Sequence, residues 1–279
     1  MSYLKIIAKK KYIYAIGDIH GEYEQLLSLL KKIDFRTAQK LIFLGDYINR
    51  GPQSKQVVEY LQDFLKWSVP TIFLMGNHDY TLLNLLNRRL QSKDKEIFRR
   101  FDVEPTLNNY GLSTYSSIKK IQKTLINSNL YNFLETLKMS YETTQFFFSH
   151  AGVNPNMPIN NQFPNDLLWD QDHMLEQKRL PFNKVFVFGH TVVLDPVSLH
   201  DRIAIDTGAC YYNETDYIKG RLTAVKLDPE NPMFREFISS DPPLANEGQR
   251  FQALIQNLPL LHGSAKIFTS LTKRFFLSS

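Results

Sequence analysis

Five short apolar runs punctuate the chain, and each breaks at a small residue. "YIYAI" (12–16) ends at "GDIHG", "LIFL" (41–44) at "GDYINRG", "TIFLM" (71–75) at "GNHD", "QFFF" (145–148) at "SHAG" and "KVFVF" (184–188) at "GHT". Runs of this length, rich in β-branched and aromatic residues and stopped by Gly or Ser, predict buried strands. Between the first three the apolar positions change to helical spacing: Leu26, Leu27, Leu29, Leu30 and Ile33, then Val57, Val58, Leu61 and Phe64. Strand, helix, strand, helix, strand predicts parallel βαβ units with helices packed over a sheet. Two later runs, "RIAI" (202–205) and "LTAVKL" (222–227), predict further strands that complete a mixed or two-sheet core. The fold class expected is α/β.

From about residue 82 to 141 the text turns polar and helical and interrupts the strand series, which predicts a helical cap inserted beside the site. From Pro229 onward, "DPENP" and "DPP" lead to "RFQALIQNLPLL" and "IFTSLTKRFFL". The expected division is a catalytic domain over 1–228 and a C-terminal helical extension over 229–279, packed on the same chain in preference to a partner or a membrane surface.

Composition narrows the class. With 43% hydrophobic and 13% aromatic residues among 279, the chain has ample material for a large core. A net charge of +5, spread along the chain, suits anionic partners but is too weak to imply nucleic-acid binding. Lys9, Lys10 and Lys11 form a short basic run that reads as a solvated lead-in to the first strand. Cys210 is the only cysteine, so no internal disulfide forms, as suits a reducing compartment. No stretch approaches the roughly 18 apolar residues of a membrane span. The expectation is a cytoplasmic protein without a membrane anchor; its oligomeric state is not readable.

In parallel α/β sheets ligands gather beyond the carboxyl ends of the strands. Here those ends carry Asp18, His20, Asp46, Asn77, His78, Asp79, His150 and His190. Four of the seven histidines fall in these short motifs, flanked by Gly, Ala or Asn, which packing alone does not explain. Imidazoles, carboxylates and an amide without thiolate suit Mn, Fe or Zn. Six ligands exceed the four of a closed structural zinc site. Two ions about 3.5–4 Å apart, bridged by a carboxylate, form the usual layout for hydrolysing phosphate esters with a hydroxide available at neutral pH. His173, His200 and His262 lack such context and read as surface residues.

Taken in order, "GDIHG", "GDYINRG", "GNHD", "SHAG" and "GHT" resemble the phosphoprotein phosphatase branch of the calcineurin-like metallophosphoesterases. "LLWD" and "IDTGA" resemble its bacterial members, of serine/threonine phosphatase or diadenosine tetraphosphatase type, and the resemblance runs from about Tyr12 to Leu227. It implies central mixed β-sheets, a β-sandwich, flanked by helices. It also implies two divalent ions, with manganese favoured and iron or zinc as alternatives. Asp18 and His20 would bind the first ion, Asp46 would bridge, and Asn77, His150 and His190 would bind the second. Arg50 would clamp phosphate oxygens and His78 would protonate the leaving oxygen as general acid. Trp169 reads as core, Asp206 as a turn residue that buttresses the site, and Asp79 as either a residue supporting the site from behind its ligands or only the first turn of a helix.

Two positions depart from the family pattern. Asn49 stands where the family carries an Asp that supports the catalytic His. An amide cannot stabilise imidazolium by charge, so the protonated fraction of His78 should fall. Gln171 stands where bacterial relatives carry a phosphate-contacting Arg. Weak general-acid help matters least for leaving groups of low pKa, which predicts preference for aryl phosphates, phosphotyrosine or phosphoanhydrides over phosphoserine. The leading expectation is a metal-dependent phosphatase for phosphate monoesters on proteins or small molecules. The alternatives are a symmetrical dinucleoside tetraphosphate hydrolase and, from another class, a non-catalytic metal-binding scaffold.

Overall fold

Strand β1 (Tyr12–Ile16) is apolar throughout because both of its faces are covered. The computed structural model describes residues 10–64, 69–170, 173–211 and 220–241. After β1 the chain runs through α1 (Tyr23–Lys32), β2 (Ala38–Phe43), α2 (Ser54–Phe64) and β3 (Thr71–Phe73). Five helices follow: α3 (Asn77–Asn87), α4 (Asp94–Arg100), α5 (Glu104–Asn109), α6 (Ile118–Ile126) and α7 (Asn129–Glu135). Next come β4 (Ser140–Glu142), β5 (Phe146–Ser149), α8 (Pro164–Leu168), β6 (Val185–Phe188), β7 (Val197–Ser198), β8 (Arg202–Ala204), β9 (Thr223–Asp228) and β10 (Asn231–Ser239).

Two five-stranded mixed sheets result. The first has the order β10-β9-β1-β2-β3, with β1, β2 and β3 parallel; the second has the order β4-β5-β6-β8-β7, with β5, β6 and β8 parallel. Side-chain alternation assigns the two faces of each strand. Ile13, Ala15, Ile42 and Leu44 meet Phe146, Phe148, Val185 and Val187 in the interior between the sheets. Tyr14, Ile16, Leu41 and Phe43 point the other way, under Leu26, Leu29, Val57 and Leu61 of α1 and α2 and under the helices that follow. On the far side of the second sheet, Phe147, Phe186 and Phe188 pack with Val153, Leu167 and Met174. Trp169 packs on the helical core, edge-on to Tyr80 with ring centroids 6.0 Å apart. No helix among the described residues is long and apolar enough to cross a membrane.

Beyond Asp228 the structure departs from the expected helical extension. Pro229 and Glu230 make a tight turn, with the Glu230 N–H donating to Oδ1 of Asp228 at 3.0 Å. The chain then returns as β10, antiparallel to β9. Asp-Pro is a turn signal as much as a boundary signal, and here the hairpin is the one that forms. Gln25 of α1 secures the returning strand: its Oε1 accepts from Leu222 N at 2.8 Å and from the Ser240 hydroxyl at 2.9 Å. The rest of the expected extension, residues 242–279, and Gln171 lie outside the described residues.

Because Phe148 is fully buried between the sheets, Phe148→Ala should cost about 3–5 kcal/mol of stability. Denaturant unfolding monitored by circular dichroism measures this, and a loss near zero would show that the two sheets do not share the core described.

Candidate metal centre

The polar residues predicted from the sequence lie where the chain leaves the sheets. Asp18 and His20 follow β1, and Asp46, Asn49 and Arg50 follow β2. Asn77 and His78 open α3, while His150 and His190 follow β5 and β6. Five of these nine have positive φ: His20 45°, Asp46 52°, Asn49 71°, Arg50 64° and His190 60°. A β-carbon makes that region unfavourable, so the surroundings must impose it. They do so by hydrogen bonds between the loops. Ile19 N and His20 N both donate to the Asp46 carbonyl, at 3.1 and 2.8 Å, and Gly51 N donates to the His20 carbonyl at 2.9 Å.

Asp79 lies in α3 and also supports the loop that carries Asp46. In the first turn of α3, it accepts from Asp46 N at 2.7 Å, Tyr47 N at 3.2 Å and Gly76 N at 3.0 Å. Asp46 in turn accepts from His78 N at 2.9 Å. Asp18 accepts from His190 N, at 3.3 and 3.1 Å to its two oxygens, which joins the two sheets. These carboxylates pass so close to the neighbouring turns that only glycine fits. A β-carbon on Gly76 would lie 2.1 Å from Oδ1 of Asp46, and one on Gly189 would lie 2.0 Å from Oδ1 of Asp18.

The geometry brings lone pairs face to face. His150 donates from Nδ1 to the Leu44 carbonyl at 3.0 Å, so its Nε2 is a bare acceptor. That nitrogen lies 2.9 Å from Oδ1 of Asn77 and 3.6 Å from Oδ2 of Asp46. Nδ1 of His190 approaches the same Asn77 oxygen at 3.2 Å. His20 repeats the arrangement: Nδ1 donates to the Ile48 carbonyl at 2.9 Å, and Nε2 faces Oδ2 of Asp46 at 3.2 Å. Acceptors at such range repel unless a proton or a cation lies between them. Protons are disfavoured on His150 and His190: burial lowers His150, and burial followed by the His150 charge lowers His190 to about 3. A donor set of this kind fits divalent metal cations. The ligand atoms of His20, Asp46 and His78, and those of Asp18, Asp46 and His150, lie within 4.8 Å of one another, and Asp46 is common to both groups.

Around this centre Arg50 donates from Nη1 to Nε2 of His20 at 2.9 Å, with its guanidinium 5.2 Å above the ring of Tyr211. The turn between α4 and α5 reaches the same place. Phe101 lies edge-on to His78 at 5.0 Å, and the Asp102 carbonyl accepts from Arg50 N at 3.1 Å. Thr106 of α5 has no signal in the sequence, yet it accepts from Asn49 N and donates to Asn49 Oδ1, both at 2.9 Å. His173 and His200 are exposed, as expected.

Residues 11–228 match the model of the calcineurin-like phosphoesterase family. The chain belongs to the calcineurin-like phosphoesterases. That family uses divalent metal ions, and the two groups of imidazole and carboxylate atoms around Asp46 could hold such ions here. It is 36% identical over 172 residues to a symmetrical bis(5'-nucleosyl)-tetraphosphatase of Enterobacter sp. (strain 638), covering 61% of this chain and 52% of that one. It is 24% identical over 253 residues to the asymmetrical bis(5'-nucleosyl)-tetraphosphatase PrpE of Oceanobacillus iheyensis, covering 80% and 90%. The chain spans between a quarter and about half of the length of the symmetrical relatives it matches. A protein serine/threonine phosphatase from Saccharomyces cerevisiae has the same fold, with a TM-score of 0.58, 13% identity and coverage of 86% and 82%.

Two outcomes test this centre without any substrate. Gly189→Ala should push the Asp18 carboxylate aside and weaken Mn²⁺ binding at least tenfold while circular dichroism stays unchanged; unaltered affinity would show that Asp18 is not needed. Burial, then the charges of Asp206 and Asp46, raise the Asp18 carboxyl well above its ordinary value. A raised carboxyl keeps its proton to higher pH, so Mn²⁺ binding at mildly acidic pH should release protons. Calorimetric heats would then depend on the buffer's ionisation enthalpy; identical heats in all buffers would refute the assignment.

Proposed function

We propose that the chain hydrolyses phosphoanhydrides of the dinucleoside tetraphosphate kind, in preference to alkyl phosphate monoesters, at a dinuclear metal centre. The contact between Asn49 and His78 carries this reading. Nδ2 of Asn49 lies 3.1 Å from Nδ1 of His78, while Oδ1 is taken by the Thr106 hydroxyl. An amide donor facing Nδ1 puts the proton of the neutral ring on Nε2 and gives imidazolium no support. Burial lowers the His78 pKa well below its ordinary value; Asp46 opposes this, and Arg50 and His20 add to it. His78 therefore offers a leaving oxygen a neutral N–H, a hydrogen bond rather than a readily released proton. Such a site serves leaving groups that are stable as anions, the phosphate of an anhydride or a phenoxide, and serves the alkoxide of serine poorly.

The other roles follow the same reading. Asp18 and His20 would hold one divalent ion, Asn77, His150 and His190 a second, and Asp46 both. Such a pair, manganese by preference, supplies Lewis acidity toward phosphoryl oxygens and lowers the pKa of water toward about 7. Arg50 presents its planar fork of donors to the phosphate, with the Tyr211 ring beneath fixing its plane. Phe101 and Asp102 bring the helical stretch to the mouth of the site, where the rest of the substrate would rest. The names of the relatives, symmetrical and asymmetrical tetraphosphatases, support the anhydride over the monoester.

The deciding experiment compares initial rates with Mn²⁺ on a dinucleoside tetraphosphate, p-nitrophenyl phosphate, and matched phosphotyrosine and phosphoserine peptides. Rates should fall in that order, and product analysis identifies which anhydride bond breaks. Equal turnover of the two peptides would sink the reading. Metal bound without turnover of any substrate would favour a scaffold. Asn49→Asp restores a carboxylate to His78 and should raise phosphoserine turnover about tenfold or more, while changing tetraphosphate turnover little. A gain of the same size on both would remove the link between Asn49 and the leaving group.

A further inference from the structure

Asp206 is a buried carboxylate for which the ligand set just described has no use. It follows β8, in "IDTGA", and is 2% exposed. Its Oδ1 accepts from Gly208 N at 2.9 Å, and its backbone carbonyl accepts from Val193 N at 2.8 Å. Its Oδ2 is shielded from solvent and has no hydrogen-bond partner among the described residues. A turn residue needs no such atom. The bond to Gly208 closes an Asx turn that Asn would make equally well, whereas a buried, unpaired carboxylate oxygen is costly. Buried polar atoms left without a partner call for a reason, and an ion is one.

The surroundings say which ion. A β-carbon on Gly17 would lie 2.7 Å from the Ile205 carbonyl, so Asp18 and Asp206, the next residue in each segment, leave their strands side by side. The neighbour of Asp206 is thus a residue read as a holder of the first ion. Placing a second carboxylate against buried Asp18 is unfavourable without a cation between or beside them. Asp206 belongs to neither of the groups whose ligand atoms lie within 4.8 Å of one another.

We propose that Asp206 is the outer carboxylate of the ion held by Asp18 and His20, its Oδ2 accepting a hydrogen bond from a water of that ion. This rests on the dinuclear reading above and adds a positioning residue to it. The added negative charge strengthens binding of the first ion, and the fixed acceptor orients the water. It also makes the two halves of the centre unlike. One faces the carboxylates of Asp18, Asp46 and Asp206, and the other faces the amide of Asn77 and two imidazoles.

Asp206→Asn tests the assignment, because it keeps the volume and the Oδ1 acceptor for Gly208 while removing the charge. The full chain, freed of metal by chelation, is titrated with Mn²⁺ alone by calorimetry, and metal content is counted by mass spectrometry. The expected result is one of the two Mn²⁺ sites weakened about 10–100-fold, the other unchanged, and the metal-free melting temperature not lowered. Two sites of wild-type affinity in the variant would overturn the proposal and leave Asp206 a turn residue. Equal weakening of both sites with a lowered metal-free melting temperature would also overturn it, as a general loss of structure. A wild-type chain that binds no Mn²⁺ would overturn the dinuclear reading and this proposal with it. Activity enters none of these outcomes, so failure of the substrate assignment would be seen separately.

Discussion

The organisation of this protein depends on acceptor atoms held against one another where water cannot reach. Oδ2 of Asp46, Oδ1 of Asn77 and Nε2 of His150 converge without a hydrogen among them. In solvent such groups would turn away. Here each is held by a bond made at its other end: His150 to Leu44, His20 to Ile48, and the Asp46 loop to Asp79. The arrangement is stable only if the fold contributes enough to hold it, and only a cation makes it favourable in itself.

That contribution comes from the layers. The parallel strands of both sheets are packed on both faces, so the strand ends are rigid points rather than loop tips. Asp18, Asp46 and the Asn77–His78 pair come from the first sheet, and His150, His190 and Asp206 from the second. The bond from His190 N to Asp18 and the bond from Nδ1 of His150 to Leu44 cross between them. The centre therefore also joins the two sheets, and disturbing either one should be felt in the site.

At Asn49 the chain departs from the pattern its motifs resemble. The helical stretch does more than cover the site. Thr106 fixes the Asn49 amide, and Asn49 in turn selects the protonated nitrogen of His78. A carboxylate at that position would have stabilised a charged imidazole; the amide and the dry surroundings favour a neutral one. On the proposed reading, the chemistry that remains depends on the metal ions, Arg50 and the quality of the leaving group.

The sequence by itself determined the strand runs, the two-sheet class, the helical interruption and the six candidate ligands. These are local signals: apolar runs stopped by glycine, with an Asp or His immediately beyond. Only tertiary structure decided the rest. Thr106 is an ordinary helix residue until α5 docks on Asn49, and Asp79 could be either supporter or helix cap until the Asp46 loop lies over it. "DPEN" read as a boundary became a hairpin because β9 offered an edge and Gln25 offered partners to Leu222 and Ser240. The Asp206 oxygen left without a partner among the described residues is equally invisible in "IDTGA". Whether a polar atom is satisfied depends on what lies across from it, and what lies across from it is set by chain segments far away in the sequence.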